Sequence, residues 1–251
     1  VNLDKWLDIV SAVPEICDCV DAVDLINHCE EVETSSGARL VFDDVSFRYG
    51  SSGTATLSNV AFSIPSGSTS ALVGSSGSGK SSCFRLILRF FDVASGSVQV
   101  GGIDVRRSTQ NSLRRVVGLI PQDTILFNDT LRKNLVIASL DATDDSIHDI
   151  LEKVCLTAFV DKNGLEISVG ERGAILSGGE RQRVGIARAL MRKVRVLLMD
   201  EATSALDNST EKAVMRSIQD FQSGVTKMTI AHRLTTIAGA NCIYVFDHGR
   251  V

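Results

Sequence analysis

The spacing of hydrophobic and polar positions changes along the chain, and each change predicts a different kind of element. Apolar residues from Leu3 to Val13 recur at helical spacing and precede an acidic stretch, which predicts a short amphipathic helix and then a linker over residues 1–36. From Leu40 the spacing becomes strand-like between turn residues. This part of the pattern predicts a β-rich region with strands over Leu40–Phe47, Ala61–Ile64, Thr69–Val73 and Ser97–Val100.

The second half of the chain shows helical spacing interrupted by short apolar strands. The apolar run Val194–Met199 ends at Asp200 and Glu201 and is typical of a strand buried on both faces of a parallel sheet. Strands that alternate with helices predict an α/β fold. The remaining predicted elements are helices over Ser146–Cys155, Gly179–Met191 and Ser209–Phe221 and strands over Lys227–Ala231 and Cys242–Phe246.

Composition and charge narrow the classes of function. The 251 residues are 44% hydrophobic and 22% charged, which is ordinary for a globular protein with a sizeable core. The formal net charge of −4 provides no overall positive field, so we expect no nucleic-acid partner. The six cysteines contain no Cys-x-x-Cys pair and do not cluster with histidines at zinc-ligand spacing, so we expect neither a zinc site nor a disulfide scaffold.

A glycine-rich segment between a predicted strand and a predicted helix matches the full phosphate-loop pattern G-x-x-x-x-G-K-[ST]. Its glycines let backbone N–H groups converge on phosphate oxygens, and the helix that starts at Lys80 directs its positive end to the same place. We expect Lys80 to neutralise phosphate charge and Ser81 to bind Mg²⁺. The candidate nucleotide contacts are Gly74, Ser75, Ser76, Gly77, Ser78, Gly79, Lys80, Ser81 and the following Ser82.

Two carboxylates at the end of the apolar strand 194–199 provide the acidic half of such a site. Asp200 suits a Mg²⁺ ligand, either direct or through water. Glu201 suits either a base or a water-orienting group for the attack of water on the γ-phosphate. An apolar run before Asp-Glu is by itself only a strand end, but downstream of a phosphate loop it predicts a nucleoside triphosphatase.

A third motif resembles the signature of ATP-binding-cassette (ABC) ATPases. Its residues are Leu176-Ser177-Gly178-Gly179-Glu180-Arg181-Gln182-Arg183. Four further segments resemble motifs of this family in the same order. The resemblance implies a RecA-like P-loop core with an antiparallel β subdomain and a helical signature subdomain at about 123–190. The four segments are the Q-loop at Gln122, the D-loop at Ser204-Ala205-Leu206-Asp207, the switch histidine at His232 and the adenine-stacking aromatic at Tyr49.

The resemblance also implies roles for residues that would be unremarkable alone. Gln122 would sense the γ-phosphate and Mg²⁺, His232 would act in hydrolysis, and Tyr49 would stack on adenine. Ser177 and Gly179 would contact ATP bound by a second copy in a head-to-tail dimer. The signature usually ends in glutamine, whereas this chain has Glu180, so that residue is not carried over as a contact.

Further segments resemble exporter-type ABC domains. Gly170-Glu171-Arg172-Gly173 is similar to the segment that exporters place against the coupling helices of their transmembrane domain. The 126–130 segment and Glu180 resemble the B subfamily of half-transporters, either its mitochondrial and heavy-metal exporters or its multidrug-resistance-type proteins. We therefore expect residues 1–38 to link a transmembrane domain to a nucleotide-binding domain at 39–251, on the cytosolic or mitochondrial matrix side of a membrane. The region 161–166 is about two residues shorter than the family pattern. The chain also stops before the usual C-terminal helices.

Two other function classes share part of this pattern. DNA-repair ATPases of the SMC type have the phosphate loop and the signature, but they need a long coiled coil between them, and this chain has no heptad array. A catalytically silent nucleotide-binding module is the second alternative. The presence of Lys80, Asp200, Glu201 and His232 favours an ATPase, and the rate of phosphate release separates the two.

Overall fold

The computed structural model describes residues 37–50, 55–221, 224–231 and 237–251. The predicted helix at 3–13, its linker and His232 lie outside these ranges. The described residues form two compact units. The sheet unit contains residues 37–119, 194–201 and 224–251, and the helical unit contains residues 120–193 and 202–221.

The sheet unit contains two sheets with different strand directions. Strands β3, β8 and β7 are parallel neighbours, and β9 joins the other side of β3, also in parallel. The five-stranded sheet has the order β6-β7-β8-β3-β9, and the four-stranded antiparallel sheet has the order β2-β1-β4-β5. The strands are β1 Leu40–Phe47, β2 Leu57–Ile64, β3 Thr69–Gly74, β4 Ser95–Val100, β5 Ile103–Asp104, β6 Val117–Ile120, β7 Val196–Asp200, β8 Thr226–Ile230 and β9 Cys242–Phe246.

One hydrophobic core includes residues from both sheets of this unit and from its helices α1 (Lys80–Ile87) and α2 (Gln110–Val116). Aromatic contacts connect the sheets: the Phe62 ring from β2 lies 4.6 Å from that of Phe42 and 4.7 Å from that of Tyr244 on β9. Strands β7 and β8 are buried almost throughout, as expected for the interior of a parallel sheet.

The helical unit starts several of its helices with threonine caps. Thr130 and Thr143 accept hydrogen bonds from the backbone N–H groups of Lys133 and Ser146, which satisfies donors in the first turn. The chain also pairs outside regular strands, since Thr130 forms an isolated antiparallel bridge with Ser168. The helices of this unit are α3 Leu131–Val136, α4 Asp144–Lys153, α5 Thr157–Asn163, α6 Gly178–Leu190 and α7 Asn208–Phe221. None of the helices described in either unit is long and apolar enough to cross a bilayer.

The sequence predictions of β1 and β9 agree with the observed bounds, whereas others differ for identifiable reasons. Strand β2 begins at Leu57, four residues before the predicted Ala61. The sequence pattern missed its first part because Asn59 has a positive φ of 50° and the β1–β2 register shifts there, which breaks the alternation of buried and exposed residues. Strand β7 begins at Val196 because Arg195 interrupts the apolar run, and it extends to Asp200. Helices α2, α3 and α5 have six or seven residues, too few to show a clear helical period.

Candidate functional site

The phosphate loop leaves the carboxyl end of β3 and enters α1, and its glycines are required by the geometry. Gly74, Gly77 and Gly79 have φ values of 146°, 78° and 106°. A Cβ on Gly74 would lie 2.1 Å from the carbonyl oxygen of Phe246, and one on Gly79 would lie 2.6 Å from Leu57. Side chains at Gly74 and Gly79 are therefore excluded by both backbone conformation and space, and a side chain at Gly77 is disfavoured by backbone conformation alone.

Lys80 fills the inside of this loop. Its side chain is only 6% exposed, and the Nζ donates to the carbonyl oxygens of Gly74 and Ser75 at 2.9 and 2.7 Å and to Ser78 Oγ at 3.3 Å. A buried ammonium surrounded by neutral oxygens is a strong attractor for an anion. The Ser75, Ser76, Gly77 and Ser81 positions are exposed and accessible to a phosphate group.

The acidic pair lies at the same edge of the parallel sheet as the loop. Asp200 is in register with Ile230 on β8, and Ile230 is in register with Leu72 on β3, two residues before the loop begins. Two inter-strand spacings place these strand ends roughly 10 Å apart. Ligands of open α/β sheets bind at this carboxyl edge, so the order of the strands brings loop and carboxylates to one site.

Glu201 has a strained backbone at this edge. Its φ is 47°, in the left-handed region that non-glycine residues rarely occupy, and its N–H donates to Ile230 O at 3.2 Å. Such a conformation costs on the order of 1–3 kcal/mol and occurs preferentially at functional sites. No sequence pattern identifies this strain, because Glu201 is an ordinary residue at an ordinary strand end.

Tyr49 is held beside the first turn of α1. Its hydroxyl hydrogen-bonds to Ser82 Oγ at 2.9 Å and accepts from Arg85 at 3.0 Å, while its ring packs edge-on against Phe47 and Phe91. Ser82 is buried, so its side chain holds Tyr49 instead of facing the loop surface. Arg85 and Phe91 therefore help to hold Tyr49 in place, and the motif pattern did not identify either residue.

Cys83, one turn into α1, contributes no chemistry to this site. It is fully buried, and burial raises the pKa of its thiol well above the ordinary value, so the sulfur remains protonated.

The signature residues lie at the start of α6 in the helical unit. Ser177 caps this helix, and its hydroxyl accepts from the backbone N–H of Glu180 at 3.2 Å. Ser177 and Gly178 are exposed, and Gly179 is half-buried. A Cβ on Gly179 would lie 3.1 Å from the carbonyl oxygen of Ala205, so glycine allows the helix start and this segment to approach closely.

Gln122 also belongs to the helical unit, where it is exposed and lines a cavity of about 970 Å³. The 171–172 segment and the start of α6 also line this cavity. Asp207, in the segment that resembles the D-loop, caps α7 through hydrogen bonds from Ser209 and Thr210, which lower the pKa of its carboxyl group.

The oxygen ligands at this edge of the sheet fit a magnesium ion that is bound together with a nucleotide. Over the described ranges there is no group of three or more His, Cys, Asp or Glu side chains that could hold a metal alone. Ser81 and Asp200 offer oxygen ligands, which Mg²⁺ prefers, and phosphate and water oxygens would complete its shell. The loop, with its buried cation, fits the phosphates of the same nucleotide.

Comparisons with known proteins identify relatives of this chain. The family described as "ABC transporter" matches residues 57–204. An iron-sulfur clusters transporter, ATM1, of Debaryomyces hansenii is 42% identical over 94% of this chain and 36% of its own length. An ATP-dependent lipid A-core flippase of Vibrio vulnificus is 47% identical over 83% of this chain and 36% of its own length.

A solved structure shows the same architecture. The structure of a bacterial Atm1-family ABC exporter with ATP bound aligns with a TM-score of 0.82 and 34% identity over 99% of this chain and 42% of that one. The chain spans about a third of the length of the curated relatives it matches.

Proposed function

The chain belongs to the ABC transporter family, and we propose that it binds ATP with Mg²⁺ and hydrolyses it as the nucleotide-binding domain of an exporter. The main support is the arrangement at the carboxyl edge of the parallel sheet. There the glycine loop with the buried Lys80 follows β3, and the Asp200-Glu201 pair lies at the end of β7. Only β8 lies between these two strands.

The phosphates would bind the loop from Gly74 to Ser81. Backbone N–H groups and the start of α1 face the anion, and Lys80 would exchange its bonds to loop carbonyls for bonds to the β- and γ-phosphates. Ser81 and Asp200 would hold Mg²⁺, which when bound neutralises charge on the phosphate oxygens. Tyr49 would support the adenine ring from its position beside Ser82.

Glu201 would accept a proton from the attacking water. Its backbone is fixed by the hydrogen bond to Ile230 and by the left-handed turn, which fixes the point at the sheet edge from which its side chain extends. Gln122 and His232 would assist as the family resemblance implies, Gln122 as a ligand toward Mg²⁺ and His232 at the γ-phosphate. Both remain proposals, and His232 lies outside the described residues.

The catalytic state would be a head-to-tail dimer of nucleotide-binding domains, identical or different. The exposed Ser177 and the half-buried Gly179, two residues later at the start of α6, would contact ATP held by the other domain. The N-terminal end of a helix favours an anion, which supports this placement. Binding of ATP would close the dimer, and hydrolysis would open it.

The partner on the membrane side would be the coupling helices of a transmembrane domain. The 970 Å³ cavity of the helical unit supports this, because it is lined by Gln122 and by Glu171 and Arg172 of the segment that resembles the exporter contact. The domain would then lie on the cytosolic or matrix side of its membrane. Relatives named for iron-sulfur clusters and for lipid A differ in cargo, so the proposal extends to export and not to one substrate.

The proposal is tested by phosphate release from the parent chain and from Glu201→Gln in ATP and Mg²⁺. Without the base, turnover should fall by roughly 10²–10⁴-fold while ATP still binds, so the variant should accumulate as a dimer in gel filtration. Adding Ser177→Arg should abolish this dimer by placing a bulky charge at the contact.

Glu152→Gln is the matched control, because Glu152 is exposed on α4 in the helical unit. It should hydrolyse ATP at the parent rate. If the parent chain binds ATP but releases no phosphate at any protein concentration, the chain is a nucleotide-binding module without catalytic activity. If Glu201→Gln turns over at the parent rate, another group activates the water.

A further inference from the structure

Gln182 joins the signature helix to the segment that resembles the D-loop. Its side chain is only 3% exposed, and both ends of its amide are used. The Nε2 donates to Ser204 Oγ at 3.2 Å, and the Oε1 accepts from the backbone N–H of Ala205 at 3.0 Å. A buried amide with both groups engaged fixes the geometry of the two chains it connects.

The segments joined in this way form one exposed surface. Ser177 and Gly178 at the start of α6 are exposed, and so are Ser204 and Ala205. A Cβ on Gly178 would lie 3.9 Å from the Cβ of Ala205, so the two segments are in contact. If Ser177 meets the ATP of a second copy, as the proposed function requires, Ser204 and Ala205 must lie in the same interface.

We infer that Gln182 is a positioning residue for ATP-dependent dimerisation. It holds Ser204 and Ala205 in register with Ser177, so that both segments reach the partner together. It touches no nucleotide in this arrangement and acts through the residues it holds. The inference rests on the proposed function and assigns a role to a residue outside the motif positions that contact ATP.

The experiment measures dimerisation in the Glu201→Gln background, with the 251-residue chain, ATP and Mg²⁺. Gln182→Leu preserves approximate volume and removes both hydrogen bonds, and we expect the dimer dissociation constant to rise at least about tenfold. ATP affinity measured under monomeric conditions should change less than about twofold, because the phosphate loop is untouched. A residue with only a structural role would lower both affinities together as the protein loses its fold.

Ser204→Ala removes one of the two bonds and provides a milder variant. We expect a rise of about two- to fivefold in the dissociation constant, and little additional effect when it is combined with Gln182→Leu, since both act through the same contact. Arg183→Leu is the matched control, because Arg183 lies on the same helix as Gln182 but donates to Cys155 O, between α4 and α5, and not to the 204–205 segment. It should dimerise like the background.

The outcomes separate the inference from the proposed function. If Glu201→Gln alone forms no ATP-dependent dimer, the proposed function fails. If it dimerises and Gln182→Leu does so equally well, only the inference is overturned. Should Gln182→Leu unfold, Ser204→Ala decides, and an unchanged dissociation constant for that variant overturns the inference.

Discussion

The carboxylate of Glu180 accepts hydrogen bonds from both the backbone N–H and the hydroxyl of Ser177, at 2.8 and 2.7 Å. Together with the bond from Glu180 N–H to Ser177 Oγ, this forms a capping box at the start of α6. A glutamine, more usual in the signature, has an oxygen that could accept in the same way. The departure from the family pattern therefore preserves the start of the helix and adds a negative charge beside it.

Replacing Glu180 separates its capping role from its charge. We expect Glu180→Gln to keep the capping box and to change the free energy of unfolding by less than about 0.5 kcal/mol, whereas Glu180→Ala should cost about 1 kcal/mol. Urea unfolding of both variants measures this difference. Equal losses for the two variants would show that the charge, and not the hydrogen bonding, stabilises the start of α6.

Lys80→Ala should abolish most of the affinity for ATP. A buried ammonium that bonds to phosphate oxygens contributes on the order of 1.5–3 kcal/mol, so the dissociation constant should rise roughly 10- to 150-fold. Isothermal titration measures it. Lys133→Ala is the control, because it removes an exposed lysine that pairs with Asp129, and it should leave ATP affinity at the parent value.

Gly185→Ala should destabilise the protein because of Thr124. The added Cβ would lie 2.2 Å from Thr124 Oγ1 and 2.9 Å from its Cγ2, and overpacking of this kind costs about 1–3 kcal/mol. Thr124→Ala removes Oγ1 and Cγ2 and leaves only the Cβ of residue 124, at 3.1 Å from the added Cβ. In that background the same change should cost at least about 1 kcal/mol less than in the parent, and the better helix propensity of alanine offsets part of the remainder.

Thermal unfolding of the four proteins in this cycle gives the coupling between the two positions. Gly178→Ala is the matched control, because its Cβ would meet nothing closer than 3.9 Å. It should change stability much less than Gly185→Ala does. Additive effects of Gly185→Ala and Thr124→Ala would contradict the packing geometry.

Glu201→Gly and Glu201→Ala should differ in stability although both lose the carboxylate. Glycine adopts a φ of 47° without strain, so we expect the glycine variant to be more stable than the alanine variant by about 1 kcal/mol. Denaturant unfolding measures the difference, and phosphate release should be equally low for both. An alanine variant as stable as the glycine variant would mean that the backbone relaxes once the carboxylate is removed.

Sequence patterns predicted the motifs better than the contacts between them. The phosphate loop is recognisable because its glycines have no substitutes at positive φ, and β7 is recognisable because both its faces are buried. Long-range side-chain contacts left no such pattern. The bonds of Gln182 to Ser204 and Ala205, and those of Arg188 to Ile125 O and Asn134, join residues far apart in sequence, so no local spacing could have indicated them.

Short elements were also missed for a physical reason. Helix α3 is six residues long, and its start is determined by Thr130 and by the bond from Leu131 N–H to Ile167 O, which lies in a distant loop. Tertiary pairing of this kind overrides weak local preference. The sequence therefore predicted the longer helices α4, α6 and α7 to within a few residues, but not the short helices α3 and α5.

The position of β3 in the parallel sheet determines when the phosphate loop can be formed during synthesis. Both neighbours of β3 come from much later in the sequence, and Thr69 N–H donates to Asn241 Oδ1 across 172 residues. A ribosome synthesises those partners long after the loop, and pairings of such long separation are slow to form. The loop is thus translated early but acquires its frame only after β8 and β9 have emerged, so a nascent chain that ends before β9 lacks the frame for holding ATP.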